Sequence, residues 1–164
     1  MKFIGKAITI ALLPAVGACA VVVDDRQGGR LSDEEVALMD ERCGKGEWVD
    51  GRRNEAVLRV RFPDGIGMAE VSTSCMILGT SQSLRIEVED GRHAEFRFPD
   101  NSPFAANLFR VDGKRGATLR VVEGADCPLT RDSFGCKYDV AEAENSRREV
   151  LDPIIIIKGG GGTQ

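Results

Sequence analysis

The segment LRIEVEDGRHAEF, residues 84–96, decides the fold class of this chain. Its first half alternates apolar and charged residues, which is the pattern of a β-strand with one buried face. Asp90 and Gly91 then interrupt the alternation and form a typical turn sequence. Because apolar residues resume on the other side of the turn, the segment predicts a β-hairpin.

The register of this hairpin follows from its two faces. A three-residue loop, with Gly91 in the left-handed conformation, separates apolar from polar pairs better than a two-residue loop does. It leaves Val88 beside Arg92 at the turn. The inner pairs are then Ile86 with Ala94 and Leu84 with Phe96, and the outer pairs are Arg85 with Glu95 and Glu87 with His93. His93, the single histidine of the chain, is thereby predicted to be an exposed partner of Glu87.

Further strands are predicted along the rest of the chain. Residues 56–62 alternate like residues 84–88, and residues 107–111 and 117–122 flank a glycine-containing turn at 112–116. Shorter β segments are predicted at 137–140 and at Ile154–Ile157, a run too apolar for water and too short to cross a membrane. The pattern predicts a mainly β (α+β) fold: an antiparallel sheet, arranged as a sandwich or a partly open barrel.

One N-terminal helix is predicted to begin at Ser32. Ser32 and Glu35 form a capping box, and Leu31 and Val36 are spaced for a hydrophobic staple. Gly44 is predicted to end the helix. Capping and a solvated face, rather than catalysis or metal binding, account for the carboxylates of this helix, which are Asp33, Glu34, Glu35 and Asp40.

The first eighteen residues have the character of an export signal. Lys2 and Lys6 precede an apolar run, Ala7 to Leu13, and small residues follow. The run is shorter than the roughly 20 apolar residues that a membrane-spanning helix needs. Residues 1–18 are therefore predicted to be a signal peptide that is removed after export.

The four residues Val16-Gly17-Ala18-Cys19 resemble the lipobox of bacterial lipoproteins, with Val16 where that class usually has Leu. The resemblance covers only the signal segment. It implies cleavage before Cys19, acylation of the Cys19 thiol, and membrane attachment through that residue. Ala20, which is not Asp, implies sorting to the outer membrane, facing the periplasm. The alternative is ordinary cleavage after Ala20, which leaves a soluble periplasmic or secreted protein.

These features divide the chain into four parts. Residues 1–18 are the signal peptide and residues 19–30 a lipid-anchored tether whose charges and glycines cannot pack densely. Residues 31–157 form a single β-rich domain braced by disulfides, and residues 158–164 a flexible glycine-rich tail. The mature chain, about 145 residues, is the size of one domain.

Five cysteines are present, and Cys19 is assigned to lipid. The other four are Cys43, Cys75, Cys127 and Cys136. In an exported domain without a Cys-x-x-Cys pair they indicate two structural disulfides rather than zinc or a redox centre. Of the three possible pairings, we favour Cys127 with Cys136, across a short loop rich in turn formers, and Cys43 with Cys75, which pins the helix to the sheet.

Charge and composition restrict the possible partners. Without Lys2 and Lys6 the chain has 20 basic and 26 acidic residues, a net charge near −6. An acidic domain lacks the basic face that nucleic acid requires, so no nucleic-acid partner is predicted. Aromatic residues make up only 5% of the chain, and its single tryptophan, Trp48, is interpreted as a core residue rather than a stacking platform.

Catalytic and metal-binding motifs are not found in the sequence. Nucleophilic machinery would depend on the single His93, and there is no Gly-x-Ser-x-Gly, His-Glu-x-x-His or calcium-loop motif. We therefore expect no catalytic, cofactor-binding or metal-binding residues. The leading interpretation is a non-catalytic envelope lipoprotein that binds or assembles with an envelope protein. The alternatives are a hydrolase with a spatially assembled acidic site and a carrier of a small apolar ligand inside a barrel.

Overall fold

The computed structural model describes residues 30–53, 55–63, 69–144 and 153–158. The predicted signal peptide, Cys19, the tether up to residue 29 and the glycines after Lys158 lie outside the described residues. The described part is mainly β, with one α-helix and three sheets that are not closed into a barrel. The predicted fold class is confirmed. Within these ranges, no helix has the length and apolar character needed to cross a bilayer.

The described residues form one α-helix, one 3-10 turn and eleven strands. Helix α1 spans Asp33–Cys43, and the 3-10 turn spans Gly51–Arg53. The strands are β1 (Trp48–Asp50), β2 (Ala56–Arg61), β3 (Glu70–Val71), β4 (Cys75–Gly79), β5 (Ser83–Val88), β6 (Ala94–Arg97), β7 (Leu108–Val111), β8 (Ala117–Arg120), β9 (Cys136–Lys137), β10 (Asp139–Glu142) and β11 (Ile154–Lys158).

Helix α1 begins and ends where the sequence predicts. The Ser32 Oγ accepts a hydrogen bond from the Glu35 amide at 3.2 Å, and the Glu35 carboxylate accepts one from the Ser32 amide at 2.8 Å. This reciprocal pair satisfies two amides that the first turn leaves without partners. Gly44 follows the last turn with φ of 90°, a conformation that glycine adopts readily. Met39 and Cys43 lie on the buried face.

The first sheet has the strand order β1-β4-β11-β9 and lies under α1. Strands β1 and β11 both run parallel to β4, and β9 is antiparallel to β11. The four isoleucines belong to β11, as predicted, and Ile155, Ile156 and Ile157 are buried. Strand β4 was not predicted. Its first four residues are all buried, so it lacks the alternation that marks a half-exposed strand.

The second sheet has the order β3-β2-β5-β8. Strand β2 confirms the predicted alternation, since Leu58 and Val60 are buried and Arg59 and Arg61 are exposed. Its neighbour β5 runs parallel to it and sets Val88 opposite Val60. Both valines are buried. The same face of this sheet therefore carries the apolar residues of both strands.

The third sheet has the order β10-β6-β7, and all its pairs are antiparallel. The predicted hairpin between residues 84–88 and 94–96 is wrong, because β5 and β6 belong to different sheets. Ile86 lies opposite Ala117, and Phe96 lies opposite Phe109 and Val140. The alternation identified the buried face of each strand but not its neighbour.

The true hairpin is longer and bent. One arm consists of β5 and β6 and the other of β7 and β8, and the loop between them spans residues 98–107. The Phe98 amide donates to the Asn107 carbonyl at 2.8 Å and closes this loop. The predicted turn at 112–116 exists, and Asp112 and Gly116 form a β-bridge across it. The strands on either side of the turn, β7 and β8, belong to different sheets. Each arm thus changes sheets at a corner, as in orthogonally packed β folds.

His93 lies at this corner and is exposed, as predicted, but its predicted partner is wrong. The Glu87 carboxylate instead forms ion pairs with Arg85 at 3.0 Å and with Arg59 at 3.3 Å. These two arginines lie on Glu87's own strand and on β2, on the exposed face of the second sheet. The His93 carbonyl accepts the Ala143 amide at 2.8 Å, so the backbone of His93 supports the corner.

The second and third sheets share a core that is rich in aromatic rings. The Phe96 ring stacks on Phe109 at 5.2 Å between centroids and on Tyr138 at 5.9 Å, and Phe98 stacks on Tyr138 at 5.4 Å. Burial removes water from the Tyr138 phenol and raises its pKa. Five aromatic residues, Phe96, Phe98, Phe104, Phe109 and Tyr138, thus form one packed cluster.

Candidate functional site

Two disulfides brace the domain, with the pairings that we favoured from the sequence. Cys43 is bonded to Cys75, with 5.9 Å between their Cα atoms, and joins α1 to β4. Cys127 is bonded to Cys136, with 5.0 Å between their Cα atoms, and closes a loop ahead of β9. These four cysteines pair with one another. Cys19, the fifth cysteine, therefore has no other cysteine of this chain left to pair with.

One surface pocket lies between the start of α1 and the end of β11. Arg30 and Lys158 both line this concavity of about 640 Å³. The Lys158 ammonium donates to both carboxylate oxygens of Glu35. Lys158, which we had placed in the flexible tail, therefore belongs to the last strand. We call this concavity the entry pocket, because the predicted tether joins the domain there.

Glu35 has two structural tasks in the entry pocket. It completes the capping box with Ser32 and binds Lys158. Partial burial by itself would raise the pKa of Glu35, but the hydrogen bonds from Lys158 and Ser32 outweigh it, and the pKa lies below its usual range. The ionised carboxylate thus fastens the last strand to the first helix.

The other helix carboxylates also have ordinary surroundings. Asp40 accepts a hydrogen bond from the Trp48 indole at 2.8 Å, and the partly buried Trp48 packs against the core under α1. Asp33 and Glu34 are exposed in the first turn, where they suit the helix dipole. Across the described residues, no group of three or more His, Cys, Asp or Glu side chains is placed to hold a metal ion.

A buried ion pair was not foreseen from the sequence. The Arg52 side chain is 1% exposed, and its Nε and Nη2 donate to the Asp50 carboxylate at 2.8 and 2.7 Å. This bond raises the pKa of Arg52. The Arg52 Nη1 atom is buried without a hydrogen-bond partner. Asp50 and Arg52 are two residues apart, a spacing that by itself does not indicate an ion pair, and Arg52 lies in the 3-10 turn that directly follows Asp50.

An apolar groove of about 550 Å³ lies beside β8. It is lined by Phe104, Phe109, Leu119 of β8 and Val121, which directly follows the strand. We call it the β8 groove. Its remaining lining residues are Ser81, Ala105, Ala106, Thr118, Arg120, Val122 and Glu123. The groove was not predicted from the sequence. Part of its lining, Phe104 to Ala106, belongs to the loop 98–107, for which no structure was predicted.

The predicted lipidation residue, Cys19, lies outside the described residues, so the structure places it neither near nor far from these features. The disulfide cysteines form two separate bridges and do not converge on one site. The entry pocket and the β8 groove are two separate surface concavities of the described residues. No protein-family model matches this chain, and no curated protein matches it either.

Proposed function

We propose that this chain is a non-catalytic bacterial lipoprotein of the cell envelope. Cys19 carries the lipid and holds the protein at the outer membrane, and the domain faces the periplasm as a binding or assembly module for an envelope protein. The observation that supports this best is the cysteine pairing. The other four cysteines are joined in two disulfides, and the one left over follows the lipobox-like Val16-Gly17-Ala18.

The disulfides support an oxidising location. Such bridges persist in the periplasm and outside the cell but are rare in the cytosol, where thiols are kept reduced. An acyl chain contributes about 0.8 kcal/mol per buried methylene, so several chains on Cys19 hold the protein durably at a bilayer. The proposed location in the periplasm and the two disulfides are therefore consistent with each other.

The entry pocket gives the anchored domain an orientation. Eleven residues, 20–30, connect Cys19 to the domain, and a fully extended chain of that length spans at most about 40 Å. Arg30 and Lys158 lie at the point where this tether joins. In our proposal the entry pocket is on the membrane side, and the surfaces far from it face the periplasm.

A binding role accords better with these features than the two alternatives do. The hydrolase alternative would use carboxylates for catalysis. The carboxylates of Glu35 and Asp50 instead have charged partners and serve in a helix cap and in a buried ion pair. A carrier of a small apolar ligand would hold it among the inner side chains, where Phe96, Phe98 and Tyr138 stack on one another. The apolar space that we describe lies at the surface, in the β8 groove.

The test is to follow the lipid and the location of the protein in its native host. The wild type should incorporate labelled palmitate and sediment with the outer membrane, whereas Cys19→Ser should do neither. The matched control, Cys43→Ser with Cys75→Ser, also removes thiols but keeps the lipobox-like segment, and it should still be labelled. Labelling of Cys19→Ser, or an unlabelled wild type, would refute the proposal.

A further inference from the structure

The outer edge of strand β8 has free backbone groups. Strand β8 is the last strand of the second sheet and pairs on one side with β5. The Val121 amide donates to the Gln82 carbonyl at 2.9 Å and continues that ladder. Because successive amides point to opposite sides of a strand, those of Thr118 and Arg120 point away from β5. Within the described residues, no backbone partner meets these two amides.

This free edge is short, because contacts on the same side close it at both ends. At its start the Gly116 amide donates to the Asp112 carbonyl at 2.7 Å, and past its end the Val122 amide donates to the Pro103 carbonyl at 2.9 Å. A strand covers the six residues from Gly116 to Val122 in about 20 Å. A second copy would present the same closed-in edge, so a single extended segment fits this opening better.

The β8 groove lies along the free edge. Leu119 is partly buried and shares the groove with Phe104 and Phe109, whereas Thr118 and Arg120, on the other face of the strand, are exposed. Because side chains alternate between the faces of a strand, a strand added at this edge places every second side chain on the apolar side. The side chains between them lie beside Thr118 and Arg120. Backbone pairing at a sheet edge, with pockets for alternate side chains, is an established mode of peptide recognition.

Arg120 determines which charge suits the outer positions of an added strand. It lines the groove, is exposed, and has no ion-pair partner in the part of the chain that the structure describes. On the neighbouring strand β5, Arg85 already has the Glu87 carboxylate at 3.0 Å. Glu123 also lines the groove, but it follows Val122 and lies beyond the free edge. The free edge itself therefore presents an uncompensated positive charge.

We propose that the β8 groove binds an extended segment of an envelope protein in which apolar and acidic residues alternate. The apolar side chains lie against Leu119, Phe104 and Phe109. The acidic side chains lie on the opposite face beside Arg120, where opposite charges on neighbouring strands attract each other. This inference rests on the proposed binding role of the domain and specifies the chemistry of its partner.

Two synthetic peptides test the inference. The acidic peptide is acetyl-Gly-Val-Glu-Val-Glu-Val-Gly-amide, and the lysine peptide has Lys in place of both Glu residues. Each is titrated into isotope-labelled protein recovered from its host, and the amide signals are followed by NMR. The Thr118 amide reports on backbone pairing at the free edge, and the Val121 amide, which is bonded to Gln82, is the internal reference.

A charge reversal in the groove provides the test variant, Arg120→Glu. The matched control is Lys45→Glu, which changes the net charge by the same amount. Lys45 is exposed in the turn after α1 and does not line the groove. Because Arg120 is also exposed, neither substitution disturbs the buried core.

The acidic peptide should shift the Thr118 amide signal of the wild type and bind at least roughly fivefold more tightly than the lysine peptide. Arg120→Glu should reverse this preference, and Lys45→Glu should keep it. The inference is overturned if the acidic peptide does not bind the wild type, if both peptides bind equally well, or if Arg120→Glu keeps the preference of the wild type.

A Thr118 signal that shifts with protein concentration in the absence of peptide would also overturn the inference, because a second copy would then occupy the edge. None of these failures alters palmitate labelling at Cys19. They are therefore distinguishable from a failure of the proposed lipoprotein function, in which the protein is unlabelled whether or not the acidic peptide binds.

Discussion

Gly113 lies directly against the backbone carbonyl of Arg92, where the two arms of the bent hairpin cross from the second sheet to the third. A Cβ atom at residue 113 would overlap that carbonyl and the backbone of Gly91. Both neighbours are main-chain atoms, so neither can move aside as a flexible side chain does. Residue 113 at this corner therefore has to be glycine, because there is no space for a Cβ atom.

Gly113→Ala should lower the free energy of unfolding by about 2 kcal/mol or more, because the arms must separate to admit the methyl group. Gly91→Ala is the matched control. Gly91 has open space around it but a φ of 72°, so alanine there should cost only about 1 kcal/mol of backbone strain. Denaturant unfolding measures both. An equal loss in the two variants would show that the close approach at Gly113 is not the constraint.

The bond between Glu35 and Lys158 predicts a pH-dependent contribution to stability. The folded-state pKa of Glu35 is lowered, so the pair stabilises the fold above the unfolded carboxyl pKa of about 4.3. The contribution disappears as the pH falls through the lower, folded-state value. Glu35→Gln keeps a capping side chain and should lower the free energy of unfolding by about 1 kcal/mol at pH 7.

The difference between wild type and Glu35→Gln should therefore shrink toward zero in unfolding measurements near pH 3. Glu34→Gln is the control, since Glu34 is an exposed carboxylate of the same helical turn. Its effect at pH 7 should be smaller, about 0.3 kcal/mol from the helix dipole. A Glu35→Gln difference that stays constant between pH 7 and pH 3 would contradict the assigned pair.

The two disulfides should contribute unequally to stability. Cys43 and Cys75 are 32 residues apart, and Cys127 and Cys136 are 9 apart. In the chain-entropy model the longer loop contributes about 3.5 kcal/mol and the shorter about 2.5 kcal/mol. Replacing each pair by two serines and measuring denaturant unfolding tests this order. The reverse order would mean that strain or residual unfolded structure outweighs loop closure.

Asp50→Asn should be strongly destabilising. It leaves the Arg52 guanidinium, whose side chain is 1% exposed, without its carboxylate, and removing one partner of a buried pair costs about 3 kcal/mol. Combining it with Arg52→Met removes the charge as well, so the double variant should recover most of the loss. Thermal and denaturant unfolding of the single and double variants provide the measurement. A double variant as unstable as Asp50→Asn would argue against an uncompensated charge as the cause.

Local features of this fold were predictable where neighbouring residues determine them. The capping box of Ser32 and Glu35, the stop at Gly44 and the buried face of β2 were all predicted and are confirmed. The disulfide pairings were predicted because Cys127 and Cys136 flank a short loop of turn formers, which left Cys43 for Cys75. Each of these depends on a spacing of a few residues or on elimination.

The features that depend on neighbours in space were not predictable in the same way. Alternation showed that Val88 faces inward, but only the fold shows that it lies against Val60 rather than at a hairpin turn. Strand β4 has no alternation to find, because it is covered on both faces. The β8 groove and the buried Arg52 arise where distant segments meet, and no short motif marks them.

The most direct measurement is the intact mass of the protein recovered from the host's outer membrane, before and after reduction. Our account predicts a chain that begins at Cys19, carries the added mass of fatty acyl groups, and gains the mass of four hydrogen atoms when its two disulfides are reduced. A chain that still begins at Met1, lacks acyl groups and has reduced thiols would contradict the account.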